Sequence, residues 1–195
     1  IVYVTWNDLN LGAIRKISIN GGNSMQLSTE KGSFRTPSFS PDGTHIVYRK
    51  ERGNSDQGFT FAKNAGIYTM KADGSNSKFV TAQGEYPIFS ADGKRIFIQT
   101  GGTYFGSLTK GLHSVNLQGN DKRTHFTSKY ANRIVPSPNN KWIAFSQLHK
   151  AYVAPMIITG QMVNLDNKTK AFPVAQIAKD AVSYTHLTLP TKRIV

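Results

Sequence analysis

Five histidines, His45, His113, His125, His149 and His186, are the side chains here best suited to acid–base or metal chemistry. No two form a His-x-His or His-Glu-x-x-His pattern, so the spacing of a zinc centre is missing. His113 and His125 read as neighbours on consecutive strands of one repeat and could approach each other, though packing or solvation is the simpler use for them. Ser107-Leu108-Thr109-Lys110 matches Ser-x-x-Lys. It stands in a glycine-flanked loop, with no companion motif of that nucleophile class. A Gly-x-Ser-x-Gly elbow and a phosphate-binding Gly-Lys-Ser/Thr loop are both lacking. The eleven carboxylates are scattered over turns and loops and give no paired acid and base. Cysteine is absent, which removes disulfides and thiolate metal sites. Asn167-Lys168-Thr169 is a glycosylation sequon by pattern alone. The sequence therefore gives no catalytic, cofactor-binding or metal-binding residue.

What the sequence does specify is a repeated phrase. Phe39-Ser40-Pro41-Asp42-Gly43 returns as Phe89-Ser90-Ala91-Asp92-Gly93 and again as Pro136-Ser137-Pro138-Asn139-Asn140. The spacing is 50 residues from Asp42 to Asp92 and 47 from Asp92 to Asn139. An apolar run follows each copy: Ile46-Val47-Tyr48, Ile96-Phe97-Ile98 and Ile143-Ala144-Phe145. A period of this size with short strands predicts propeller blades. The expected fold is all-β, a β-propeller fragment of about four blades, each a four-stranded antiparallel sheet. The units read as a partial blade over 1–29, blades over 30–81 and 82–127, and a diverged blade over 128–181.

The turn residues have a mechanical reason. Asp42-Gly43, Asp92-Gly93 and Asn139-Asn140, with Asp73-Gly74 as a second turn, tolerate the positive φ of tight hairpins. They are read as structural turns rather than as ligands. Alternation of Ile46 and Tyr48 against Val47 and Arg49 offers one face to each neighbouring blade. The loop Glu51 to Ala65 interrupts the pattern, and its Phe59 and Phe61 are candidate contact residues, because such insertions project where partners bind.

Hydrophobic content of 38% and aromatic content of 11% suit a globular β-rich chain, and no apolar run reaches the ~20 residues of a membrane helix. The net charge of +13 falls to +11 without Lys192 and Arg193. Its cations come singly or in pairs at blade spacing, which describes a solvated surface and argues against a nucleic-acid partner. The chain begins at Ile1 within a strand and without Met, so it reads as a fragment of a longer protein. Val182 to Thr191 resembles a translated sequencing adapter. Residues 182–195 are therefore expected to be a non-native tail.

The Ser-Pro-Asp-Gly-x-x-Ile-x-Tyr phrase and the turn Ala72-Asp73-Gly74-Ser75 resemble the TolB-like, or PD40, β-propeller repeat over about Ile1 to Ser146. Finer phrases are Tyr3-Val4-Thr5-Trp6-Asn7-Asp8, Ala151-Tyr152-Val153-Ala154-Pro155 and Phe172-Pro173-Val174. These are similar to the N-terminal propeller of bacterial amidohydrolase-family proteins. That resemblance implies a non-catalytic propeller that braces a metal-dependent catalytic domain or gates its substrate. The divalent metal, zinc, would lie in that absent domain. The partner would be the intramolecular catalytic domain or another protein, and the location periplasmic or secreted. The same repeat also occurs in TolB, a periplasmic protein-binding scaffold, and in propellers of prolyl oligopeptidase-type serine peptidases.

Overall fold

A computed structural model describes residues 1–54, 59–60, 64–101, 109–147, 149–156, 163–165 and 174–178. The described residues form strands and turns and no helix. Four consecutive antiparallel sheets are built, as a propeller fragment of about four blades requires.

The first sheet holds β1 (Val2–Asn7), β2 (Leu11–Lys16) and β3 (Met25–Gln26). In the second, β4 (Ser33–Phe39) leads to β5 (His45–Glu51). A two-stranded excursion follows, β6 (Gly53–Asn54) with β7 (Phe59–Thr60), before β8 (Gly66–Lys71) and β9 (Lys78–Thr81) complete the sheet. The third runs β10 (Glu85–Phe89), β11 (Arg95–Thr100), β12 (Lys110–Asn116), β13 (Arg123–Ser128). The fourth begins with β14 (Ala131–Pro136), β15 (Trp142–Gln147) and β16 (Lys150–Pro155). Then β17 (Val163–Asn164) leaves to add a parallel edge to β13 of the third sheet, and β18 (Ala175–Ala178) returns as the last strand of the fourth. The repeat grammar fades after Gln147 in the sequence, yet the sheet continues through Pro155. Backbone pairing from Trp142↔Pro155 to Gln147↔Lys150 needs no particular side chains.

Successive sheets meet face to face, and the period-two alternation distributes side chains between seams. On β5, Ile46 and Tyr48 enter a core with Ile14, Leu27, Phe34 and Met70, between the first and second sheets. Val47 points the other way, into a core with Ile67, Val80, Ile96, Ile98 and Val115, between the second and third. On β11, Phe97 in turn joins Leu112, Phe126, Ile134, Ile143, Phe145 and Tyr152 in the third seam. Full burial of one such side chain is worth about 1.5–3 kcal/mol, so three seams supply most of the stabilisation.

The leading strand of each later sheet is broken at one register shift: Arg35/Ser38, Glu85/Ile88 and Ala131/Ile134. Pro37 and Pro87 lie within the first two breaks, where a residue without an N–H interrupts no ladder. Thr36 and Tyr86 take positive φ there, 46° and 51°. Each seam also carries a polar clamp. The Lys16 ammonium donates to the Ala72 carbonyl, Arg49 to the carbonyls of Ala82 and Gly84, and Gln99 both donates to the Asn132 carbonyl and accepts from the Ile134 N–H.

Candidate functional site: turns, histidines and an inter-sheet cavity

The three repeated turns share one hydrogen-bond set, and its hub is the serine. The Ser40 N–H donates to the His45 carbonyl, and the Gly43 N–H to the Ser40 carbonyl. The Ser40 hydroxyl accepts from the His45 N–H at 2.9 Å and donates to the Asp42 carboxylate, which also accepts from the Thr44 N–H and hydroxyl. Ser90 and Asp92 repeat this with Lys94 and Arg95, and Ser137 and Asn139 with Lys141 and Trp142. These donors stabilise the charged form of the acid. The Ser40 hydroxyl, followed by Thr44, holds the Asp42 carboxyl down to about 2. The Ser90 hydroxyl and Lys94 amide lower Asp92. Gly43 and Gly93 sit at φ 71° and 68°, and Asn140 takes the same place at 52°.

Two departures in the repeated phrase are coupled in space. Asn140 stands where the other copies have Gly, and Ala91 stands where they have Pro. The Ala91 N–H donates to the Asn140 side-chain carbonyl, joining the turns of the third and fourth sheets. Proline at 91 would have no N–H to give, and glycine at 140 no side chain to receive it.

The second turn at Asp73-Gly74 is closed by the Lys71 N–H to the Ser75 carbonyl and the Gly74 N–H to the Lys71 carbonyl. Asp73 accepts from the Ser75 N–H and hydroxyl, which lower its pKa. Gly74 has a further role. A Cβ there would come within 2.5 Å of the Leu27 carbonyl oxygen of the preceding sheet. Gly119, in the matching turn of the third sheet, would collide in the same way with the Val80 carbonyl oxygen. The sequence signal for this packing was the recurrence of Gly at the second turn.

His113 and His125 are buried but do not bond to each other. His113 shares hydrogen bonds with the Thr100 hydroxyl at 2.7 Å and the Thr124 hydroxyl at 2.9 Å. His125 bonds the Ser114 hydroxyl at 2.7 Å and meets the Phe97 ring edge-on. A register shift between Leu112 and His113 pairs His113 with Thr124, which turns His125 to the opposite face. Burial pushes each imidazole down to about 4, helped at His113 by Lys122 and at His125 first by Arg95. Both are neutral, hydrogen-bonded packing groups near neutral pH.

Among the described residues no group of three or more His, Asp or Glu side chains could hold a metal. No helix among them is long and apolar enough to cross a membrane. Phe59 lies on β7, while Phe61, Ser107, Asn167 and the whole of 182–195 lie outside the described residues.

A feature with no signature in the sequence is a cavity of about 610 Å³ at the seam of the first and second sheets, between the second sheet and the segment 27–31 that follows β3. Phe34, Tyr48, Tyr68 and Met70 form its apolar wall. The rings of Tyr48 and Tyr68 stack at 5.8 Å, and Phe34 meets Tyr48 edge-on. Lys50 is buried in the wall with its ammonium 5.2 Å from the Tyr68 ring centre and bonded to the Glu30 carboxylate. The Tyr48 hydroxyl shares a 2.8 Å hydrogen bond with Ser77, and burial raises its pKa.

No family model matches the sequence, and no curated protein resembles it. Solved structures do share the fold. TolB from Acinetobacter baumannii is 18% identical with a TM-score of 0.63, over 91% of this chain and 40% of that one. An oligogalacturonate lyase in complex with manganese is 15% identical with a TM-score of 0.59, over 91% of this chain and 44% of that one. A puromycin-hydrolysing peptidase of Mycobacterium tuberculosis is 11% identical with a TM-score of 0.53, over 76% of this chain and 26% of that one. The chain thus spans less than half the length of each of these three proteins, and what it shares with them is the β-propeller fold of the TolB-like kind.

Proposed function

We propose that this chain is a non-catalytic propeller region of a larger hydrolase, of the metal-dependent amidohydrolase class, which braces the catalytic domain or gates its substrate. The observation that carries the reading is the use made of the reactive side chains. His113 and His125 are each engaged by hydroxyl groups inside the third sheet. Asp42, Asp73 and Asp92 are engaged by their own turns. The divalent metal, zinc, belongs in this proposal to the catalytic domain. The partner is that domain, and the setting is periplasmic or secreted.

Mass-spectrometric metal analysis of the purified chain, with amide and peptide turnover assays, tests the first part. Turnover above buffer that disappears in His113→Ala or His125→Ala overturns it. The coding sequence after Ala181 tests the second part. A His-x-His motif early in a following barrel supports the amidohydrolase. A Gly-x-Ser-x-Gly motif would instead favour a serine-peptidase propeller, a reading supported by the likeness to the puromycin-hydrolysing peptidase. A stop codon would favour a protein-binding scaffold, a reading supported by the likeness to TolB.

A further inference from the structure

We propose that the cavity at the seam of the first and second sheets is a binding site for a small carboxylate-bearing molecule with a flat or ring-shaped body. Its volume of about 610 Å³ falls in the range of small-molecule sites. Its wall combines stacked aromatic rings, Tyr48 and Tyr68, with a buried cation, Lys50, and Lys31 also lines it. A lysine side chain with only 10% of its surface exposed needs an anion beside it. That anion is Glu30, a linker residue whose own side chain is 69% exposed. An exposed carboxylate paired with a buried ammonium is a replaceable partner: a ligand carboxylate can take its position without leaving Lys50 uncompensated.

The neighbouring seam shows that the fold does not demand this arrangement. Tyr48 pairs with Tyr68 across β5 and β8, and Ile98 pairs with His113 across β11 and β12. Lys50, next to last on β5, and Thr100, last on β11, occupy equivalent places and face Gly66 and Gly111. In the third sheet the two groups close on each other, Thr100 bonding His113 at 2.7 Å. In the second sheet the ammonium bonds outward to a linker and the aromatic wall is left facing the cavity. The inference depends on this seam alone and not on which catalytic domain, if any, accompanies the propeller.

Calorimetry and NMR on the full chain test it, with D-galacturonate and benzoate as probes and galactose and benzyl alcohol as their neutral counterparts. The acids are expected to bind and the neutral compounds not, with shift changes centred on Tyr48, Tyr68 and Lys50. Preference for the sugar acid assigns a saccharide ligand, and preference for benzoate an aromatic acid. Glu30→Gln removes the internal competitor and is expected to tighten acid binding about two- to fivefold, the range of an exposed ion pair. Lys50→Met, which keeps the stem length, is expected to abolish the preference for acids. Should Lys50→Met fail to fold, the Glu30→Gln comparison decides alone. Equal binding of acids and neutral counterparts, shifts away from this seam, or no acid binding by either wild type or Glu30→Gln overturns the proposal.

Discussion

The first and second seams are built on one plan and filled with different chemistry. The second has an aliphatic core, in which Val47, Ile67, Val80, Ile96, Ile98 and Val115 interlock beside Phe89, with His113 bonded to Thr100 at its margin. The first has Ile14, Ile46 and Met70 at its base, but aromatic rings, a buried lysine and a cavity above them. Backbone pairing is equally regular in both sheets that face these seams. A propeller therefore tolerates a loosely filled seam beside a tightly filled one, because each blade's ladder is complete by itself and the seams add to it separately. Stability should reside in the second seam and ligand chemistry in the first.

The glycines at equivalent second turns give the sharpest test of that contrast. Gly119→Ala drives a methyl group into the Val80 backbone at φ 82°. It is expected to lower the stability measured by denaturant unfolding by about 2–4 kcal/mol. Gly74→Ala meets Leu27, which follows the two-residue β3 beside the cavity, and should cost less. Equal losses would break the comparison.

Core truncation comes next. Ile96→Ala in the second seam should cost about 2–5 kcal/mol, since a fully buried side chain is removed from close packing. Tyr48→Phe in the first seam removes only the hydrogen bond to Ser77, and should cost about 0.5–1.5 kcal/mol. A larger loss from Tyr48→Phe than from Ile96→Ala would reverse the assignment of the two seams.

Acid should separate the seams as well. His113 occupies the position that Tyr68 holds in the first seam, and its imidazole is depressed to about 4 by burial. In the unfolded chain histidine titrates near 6.5. Between these values the unfolded state binds the proton more readily, so stability falls as pH drops from about 6.5 to about 4, and changes no further from this source below that. His125 contributes in the same direction. NMR titration should find both rings neutral at pH 6, and unfolding midpoints should fall through that window. A midpoint unchanged from pH 6.5 to 4.5 would contradict the burial of these rings.

The smallest expected effect lies at the joined turns. Ala91→Pro removes the N–H that Asn140 accepts and should cost about 1 kcal/mol. Ala91→Pro should cost less in an Asn140→Gly background. Additive losses in the double-mutant cycle would show that the two departures from the repeat are independent.

Much of the architecture was legible because its causes are local. Asp42, Asp92 and Asn139 bond within two residues of themselves, and the alternation on β5 is fixed by the pleat. The serine hub of each turn stood in the quoted phrase, but its role required the closing strand residue five positions on. The proximity of His113 and His125 in sequence was a poorer guide, since a single register shift sends them to opposite faces. The aromatic residues that line the cavity, Phe34, Tyr48 and Tyr68, are regular strand residues with nothing in the sequence to mark them.

The sequence by itself determined the repeat length, the tight turns and the two-faced strands, since hydrogen-bonding side chains at fixed short offsets and a period of two act within a single hairpin. Only the tertiary structure decided that Gly74 and Gly119 back onto a neighbouring sheet, that Ala91 and Asn140 are partners, and that Lys50 and Glu30 meet at an aromatic cavity. Those meetings join residues from 20 to 49 positions apart, and their geometry is set by how one sheet packs on the next, which no local pattern encodes.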